Sequence, residues 1–344
     1  MTLYIPNAYS KSNKLLESFS LTEHHERDSD NITIIIIIDA LSETFFKQNI
    51  DKAPNLVELI SDGAYYLQNT TSIPSCTGIA HTSLLTGTGP NEHGVSGLNF
   101  FNVNSFTHYN CLSSNIQKLL NKSLSNEVNT IFENNPQVKS VSIWNPLDRG
   151  ATTSIPYAQS WYHHATRLAI EQINKGSKIL SIWYPLLDPI GHYLGCDHKF
   201  RKFWFHRIDF QIGLLIKNLK SMNLLDKCMI YITADHGQIE VTKKLNLYKY
   251  FKELGFTVYG RDWDTINYLT PESNYDIILC RNGYRFAHIY YGNKIDQEKK
   301  SKIKNLLIKE PAVRNVFSRE NEYVFVENKF GKAVISSDTS LDTK

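Results

Sequence analysis

Cysteine is scarce: Cys76, Cys111, Cys196, Cys228 and Cys280 are an odd number, widely separated and without a C-x-x-C pair. That pattern argues against a disulfide framework or a thiolate zinc site, and a reducing, cytoplasmic setting is the expectation. Long apolar runs are also missing. No stretch approaches the roughly 18 residues that a membrane span needs, and Met1-Thr2-Leu3-Tyr4-Ile5-Pro6 lacks the apolar core of a signal peptide, so no membrane partner is expected. Neither sign of charge dominates. The 37 basic and 34 acidic residues give a formal +3, spread fairly evenly, and indicate no dedicated nucleic-acid surface. Internal repeats and low-complexity linkers are absent, and nothing sets an oligomeric state.

What remains is a chain of 344 residues with 42% hydrophobic content, enough for one large α/β domain or a core with a smaller insert. Residues 1–31 are polar and weakly patterned and read as an N-terminal arm on the surface. From Ile32 the chain alternates buried strands with amphipathic stretches. Ile32 to Ile38, Ile179 to Tyr184 and Met229 to Thr233 are β-rich runs, the first and last continuous like strands of a parallel sheet covered on both faces. Helices are predicted over Ala53 to Asp62, Gly78 to Leu85, Asn115 to Leu120, Tyr162 to Lys175 and Phe203 to Met222, the last with Ile208, Ile212, Leu215 and Leu219 at helical spacing. This alternation predicts an α/β sandwich over 32–244. Over 245–344 the pattern changes to a smaller α+β subdomain. Leu245 to Leu254 and Gln297 to Ile308 read as helices there, with short strands at Phe256 to Tyr259, Tyr275 to Cys280, Ala287 to Tyr291, Tyr323 to Glu327 and Ala333 to Ser336.

Three strands end alike. Asp39 closes the first apolar run, Asp188 and His192 follow the second, and Asp235-His236-Gly237 follows the third. Ligands of α/β sheets gather at the carboxyl ends of strands, and mixed carboxylate and imidazole donors suit a divalent metal. A fourth segment, Cys76-Thr77-Gly78-Ile79-Ala80-His81-Thr82-Ser83-Leu84-Leu85-Thr86-Gly87, places a hydroxyl just before a short apolar helix, where free amides and a partial positive charge favour a phosphoryl oxygen. Thr77 is the candidate nucleophile. Without that context, such a threonine reads as an ordinary N-cap.

In this order, Asp39, Thr77 within C-T-G-I-A-H-T-S-L-L-T-G-T-G-P-N-E-H-G-V, L-D-P-I-G-H and D-H-G resemble the nucleotide pyrophosphatase/phosphodiesterase family of the alkaline phosphatase superfamily, over roughly Ile32 to Val241. The resemblance implies an alkaline-phosphatase-like sandwich with a mostly parallel central sheet. It also implies two divalent ions, zinc by preference with manganese or iron possible. One ion would be held by Asp39, Asp235 and His236 and approached by the Thr77 hydroxyl, the other by Asp188, His192 and a further histidine. Two metals about 3.5 to 4 Å apart suit an in-line phosphoryl displacement, and a threonine hydroxyl needs such activation at neutral pH. The implied course is attack by Thr77, a covalent phosphothreonine, and its hydrolysis.

The sequence departs from the family twice. The asparagine that binds the phosphoryl oxygen is assigned to Asn99, one step past Leu98, where strict spacing falls. The last histidine ligand normally stands in a His-Gly context; here His288 follows His236 within Arg285-Phe286-Ala287-His288-Ile289-Tyr290-Tyr291, without the glycine. Either His288 is that ligand or it is a structural histidine on a sheet face and the chain lacks the ligand. His81 and His93 read as local hydrogen-bonding groups, and Tyr157, Trp161 and Tyr162 as core packing or a leaving-group pocket.

The leading expectation is therefore hydrolysis of phosphodiester or nucleotide-pyrophosphate bonds in a small phosphoester or nucleotide substrate. The alternatives are phosphomonoester or phosphonate hydrolysis at the same site and a non-catalytic binding protein on a degenerate scaffold. Cys76-Thr77-Gly78-Ile79-Ala80 does not supply the C-x-P-x-R pattern of a sulfatase.

Overall fold

The computed structural model describes residues 2–5, 31–66, 69–103, 106–110, 116–157, 164–241, 244–260, 274–282, 285–293, 295–320 and 323–335. The chain packs into two compact units, Met1–Phe100 with Tyr109–Glu240, and Phe101–His108 with Val241–Lys344. In chain order the first unit holds β1 (Thr2–Ile5), β2 (Ile32–Ile38), α1 (Glu43–Gln48), α2 (Pro54–Asp62), β3 (Ala64–Tyr66), α3 (Thr77–Thr86) and α4 (Pro90–His93). A ribbon of β4 (Asn99–Asn102) and β5 (Thr107–Asn110) follows where the chain passes to the second unit and back. The first unit then resumes with α5 (Ile116–Ser123), β6 (Ser140–Ile143), β7 (Thr153–Ile155), α6 (His164–Asn174), β8 (Ile179–Tyr184), α7 (Leu187–Leu194), α8 (Lys199–Ser221) and β9 (Cys228–Thr233).

The central sheet has the order β3-β1-β9-β2-β8-β6-β7, with five parallel strands from β9 to β7 and, at one edge, β1 antiparallel to both of its neighbours, β9 and β3. The polyisoleucine strand β2 is central because a parallel strand is covered on both faces, and its even-numbered isoleucines are fully or almost fully buried. They pack against Phe45 and Phe46 of α1, Leu56 and Leu59 of α2, Ala165 and Ala169 of α6, and Phe205, Ile208, Ile212 and Leu215 of α8. Burying each large apolar side chain contributes about 1.5–3 kcal/mol. Within the segment expected as an N-terminal arm, Thr2–Ile5 form β1, which pairs with β9. An unpaired edge strand leaves its backbone groups without partners, and this short addition satisfies them.

The second unit holds α9 (Leu247–Glu253), β10 (Val258–Tyr259), β11 (Ile277–Asn282), β12 (Phe286–Tyr291), α10 (Gln297–Lys309), β13 (Val316–Glu320), β14 (Tyr323–Asn328) and β15 (Gly331–Ile335). Two three-stranded sheets result, β10-β11-β12 and β13-β14-β15. Phe251, Phe256, Ile277, Leu279, Ile303 and Leu307 form its core, and Phe101 packs with Ile278 and Cys280 in a second cluster.

Candidate active site

Strands β9, β2 and β8 are adjacent and parallel, so their carboxyl ends open at the same edge of the sheet. Asp39 directly follows β2, Asp235 lies two residues beyond β9, and Asp188 sits in the first turn of α7, which follows β8. Pro189 fits in that first turn because it needs no amide partner there. Sequence separations of up to nearly two hundred residues thus collapse into one cluster. Ligand atoms of Asp39, Asp188 and His236 all lie within 4.8 Å of one another, a group that could hold a metal ion.

Around that group, His236 Nε2 stands 3.4 Å from Asp39 Oδ1 and 3.6 Å from Asp235 Oδ2. His192 Nε2, one helical turn from Asp188, is 3.2 Å from its Oδ1. Thr77 is the first residue of α3, and its Oγ1 lies 3.2 Å from His236 Nε2. Cys76, not Thr77, occupies the N-cap position, and its side chain makes no capping bond. The threonine hydroxyl is therefore not spent on capping its own helix and faces the imidazole. His236 Nδ1 pairs with the carbonyl oxygen of Gly237 at 3.0 Å, which fixes a proton on Nδ1 and leaves Nε2 facing the cluster as the ligand nitrogen.

Electrostatics mark the same place. Burial, with Asp235 and Asp188 adding like charge, pushes the Asp39 carboxyl well above the usual range. Burial also acts to raise Asp235, but His236, His81 and the Ala40 amide outweigh it and hold Asp235 well below that range. For His236 burial acts to lower the pKa, and the carboxylates of Asp235 and Asp188 overcome it, so the net shift is upward. No donor among the described residues satisfies Asp39 Oδ1 or Asp235 Oδ2. Buried carboxylate oxygens that lack a hydrogen-bond donor and have only imidazoles near them are costly unless a cation joins them, and the donor set therefore fits a divalent ion.

Two supporting side chains, Gln238 and Arg201, gave no signal in the sequence, and a third, His81, read there as a local hydrogen-bonding group. Gln238, just past the Asp-His-Gly motif, donates from Nε2 to the backbone oxygen of Asp188 at 3.2 Å and to its Oδ1 at 3.3 Å. Gly191 of α7 admits it: a Cβ there would lie 1.7 Å from Gln238 Oε1. Arg201, fully buried on α8, donates to the carbonyl oxygens of Ala40, Leu187 and Cys196. His81 is fully buried with Nε2 3.6 Å from Asp235 Oδ2 and its ring edge-on to Trp183. It touches the site, whereas His93 is a local fastener: Val95 N donates to its Nδ1 at 3.1 Å, and its Nε2 meets Ser83 Oγ at 3.1 Å.

Asn99 opens β4 and is buried, and Leu98 before it packs on α3, its Cδ2 2.8 Å from where a Cβ on Gly78 would stand. His288 lies on β12 of the second unit, with Nδ1 3.0 Å from Asn282 Nδ2 and its ring against Phe286. Tyr157 is exposed and edge-on to Trp144; Trp161 and Tyr162 lie outside the described residues. Cys76, Cys196, Cys228 and Cys280 are free, and no helix among the described residues is long and apolar enough to cross a membrane.

Known proteins resemble this chain in sequence and in fold. Ectonucleotide pyrophosphatase/phosphodiesterase family member 7 of Mus musculus is 21% identical over 65% of this chain and 54% of its own length. The Rattus norvegicus protein of the same name is 28% identical over 26% of this chain and 21% of its own length. The chain thus spans about half the length of the mouse relative. Among solved structures, murine ectonucleotide pyrophosphatase/phosphodiesterase 5 superposes with TM-score 0.62 at 18% identity, covering 84% of this chain and 72% of that one. The human protein gives 0.63 at 18% identity over 84% and 72%. An inactive murine form in complex with AMP gives 0.61 at 18% identity over 82% and 71%. These neighbours share the alkaline-phosphatase-like fold. A model of the family described as Type I phosphodiesterase / nucleotide pyrophosphatase matches residues 33–334, nearly the whole chain, and the chain belongs to that family.

Proposed function

We propose that this chain hydrolyses phosphodiester or nucleotide-pyrophosphate bonds through a phosphothreonine formed on Thr77, with two divalent ions, zinc by preference and manganese or iron able to use the same ligands. The observation that carries the reading is the 3.2 Å approach of Thr77 Oγ1 to His236 Nε2, beside the group of Asp39, Asp188 and His236. Asp39, Asp235 and His236 would hold one ion and Asp188 and His192 the other. Bound there, the ions would supply Lewis-acid polarisation of the phosphoryl group and lower the pKa of a nearby hydroxyl.

The chain's own groups do the rest. Thr77 Oγ1 forms a bond to phosphorus as the bond to the leaving oxygen breaks; water then cleaves the phosphothreonine and restores the hydroxyl. The amino end of α3 offers amides and a partial positive charge to the phosphoryl oxygens, and Asn99 is the proposed further donor. Gly78, Ile79 and Ala80 after the nucleophile include no cation to grip a dianionic monoester, which favours a diester. The AMP complex of the murine relative makes a nucleotide the first substrate to try.

The test compares bis-p-nitrophenyl phosphate with p-nitrophenyl phosphate in wild type and Thr77→Ala, with metal content measured for both. The reading expects faster diester turnover, two metals per chain, and a variant that keeps metal but loses activity. Undiminished hydrolysis by Thr77→Ala, or a preference for the monoester, would refute it.

A further inference from the structure

Helix α8 buries one face in the core, but its first three turns carry an aromatic stripe outward. Phe200, Phe203 and Phe210 are 45%, 51% and 44% exposed, where solvation normally selects polar side chains. The rings are organised: Phe200 stacks on Phe203 with centroids 6.1 Å apart, and both meet the Trp204 ring edge-on. Just before α8, at the end of α7, Tyr193 and Leu194 are 86% and 50% exposed. Scattered exposed apolar residues need no explanation, but a contiguous aromatic run marks an interaction surface.

Charge says what kind. From Tyr193 to Arg207, Lys199, Lys202 and Arg207 are the cations that are not buried; the stretch itself holds one acid, Asp197, paired with Lys202 at 2.8 Å, and Glu240 adds a second beside it by accepting from the Cys196 amide. Asp209, further along α8, is fully buried and caps α2. Two copies joined face to face through this stripe would bring like charges together, which disfavours self-association. Single-stranded nucleic acid stacks bases on free ring faces, yet here Phe200 and Phe203 turn faces to each other. Basic side chains flanking exposed Phe, Trp, Tyr and Leu are the composition of a surface that rests in the headgroup region of an anionic bilayer.

We propose that the amino-terminal half of α8, with Tyr193 and Leu194, is a docking face for an anionic lipid surface. That no helix among the described residues is long and apolar enough to cross a membrane does not bear on this, because such a face lies on a membrane without crossing it. Since α7 also carries Asp188 and His192, docking would hold the candidate active site near the lipid headgroups. The proposal does not depend on the chemistry assigned to Thr77.

The test is co-sedimentation of the full chain with phosphatidylcholine vesicles, with and without phosphatidylserine, at low and high salt. The expected result is binding to the anionic vesicles at least about tenfold tighter than to neutral ones, weakened by salt. Phe200→Ser with Phe203→Ser, and separately Lys199→Glu with Arg207→Glu, should each reduce binding by about tenfold or more. The charge-reversal pair guards against misfolding, and unchanged melting and unchanged turnover of a soluble diester verify both variants. Equal or absent binding to both vesicle types, variants that bind as wild type does, or a dimer that the variants dissolve would each overturn the proposal.

Discussion

Arg201 Nη2 donates to the carbonyl oxygen of Ala40 at 2.8 Å, while the amide of the same Ala40 donates to Asp235 Oδ1 at 3.1 Å. Ala40 adopts a left-handed φ of 56°, uncommon for a residue with a Cβ and unfavourable by about 1–2 kcal/mol. The two bonds hold it there and so fix the direction in which Asp39 leaves β2. Through Nε, Arg201 also reaches the carbonyl oxygen of Leu187 at 3.1 Å, the residue before Asp188. One guanidinium therefore ties together the turn after β2 and the first turn of α7, the segments that carry two of the clustered carboxylates.

Replacing Arg201 with Met should leave three buried carbonyl oxygens without their donor and cost about 3 kcal/mol or more. Lysine, a single point donor without the planar fork, should recover part of that. Urea denaturation of both variants measures it, and the affinity for zinc should fall in the same order because Asp39 and Asp188 are no longer held in register.

Asp209 supplies a cap from outside the helix it caps. Its carboxylate accepts from Asn55 N, Asn55 Nδ2 and Leu56 N at the start of α2, where Ala53 offers no side-chain cap. Asp209→Ala should destabilise the fold by about 1–3 kcal/mol, visible as a lower urea midpoint with an unchanged slope.

His93 gives stability an acid dependence. Burial lowers its pKa to about 4 from the ordinary 6.5, so between those values the unfolded chain binds the extra proton. The contribution is fully present above pH 6.5 and is lost as pH falls toward 4. Chemical denaturation across that window should show stability declining with acid, and less steeply in His93→Gln.

Metal binding should release protons. In the metal-free protein the raised pKa values of Asp39 and His236 keep protons on groups that must lose them to act as ligands. Zinc affinity should therefore rise with pH through the neutral range, and calorimetry in buffers of different ionisation enthalpy should report proton release. A pH-independent affinity would contradict this ligand set.

The core was legible because β2, β8 and β9 announce themselves as apolar runs, and each ends in its acid within four residues. Strand β6 escaped because Ser140 and Ser142 break its short hydrophobic pattern, although both serines are buried. Helix α7 was hidden by Pro189. Arg201 reads as one more surface cation in a basic stretch, and only the tertiary fold reveals that it is buried on three carbonyls. The Phe101–His108 excursion has no local signal, since what decides it is packing against residues such as Ile278 that lie far along the chain.

The most direct test of the central claim is mass spectrometry of enzyme quenched in acid during turnover of a phosphodiester. The account predicts phosphate on the peptide containing Thr77 and none in Thr77→Ala. Continued turnover with Thr77 never phosphorylated would contradict it.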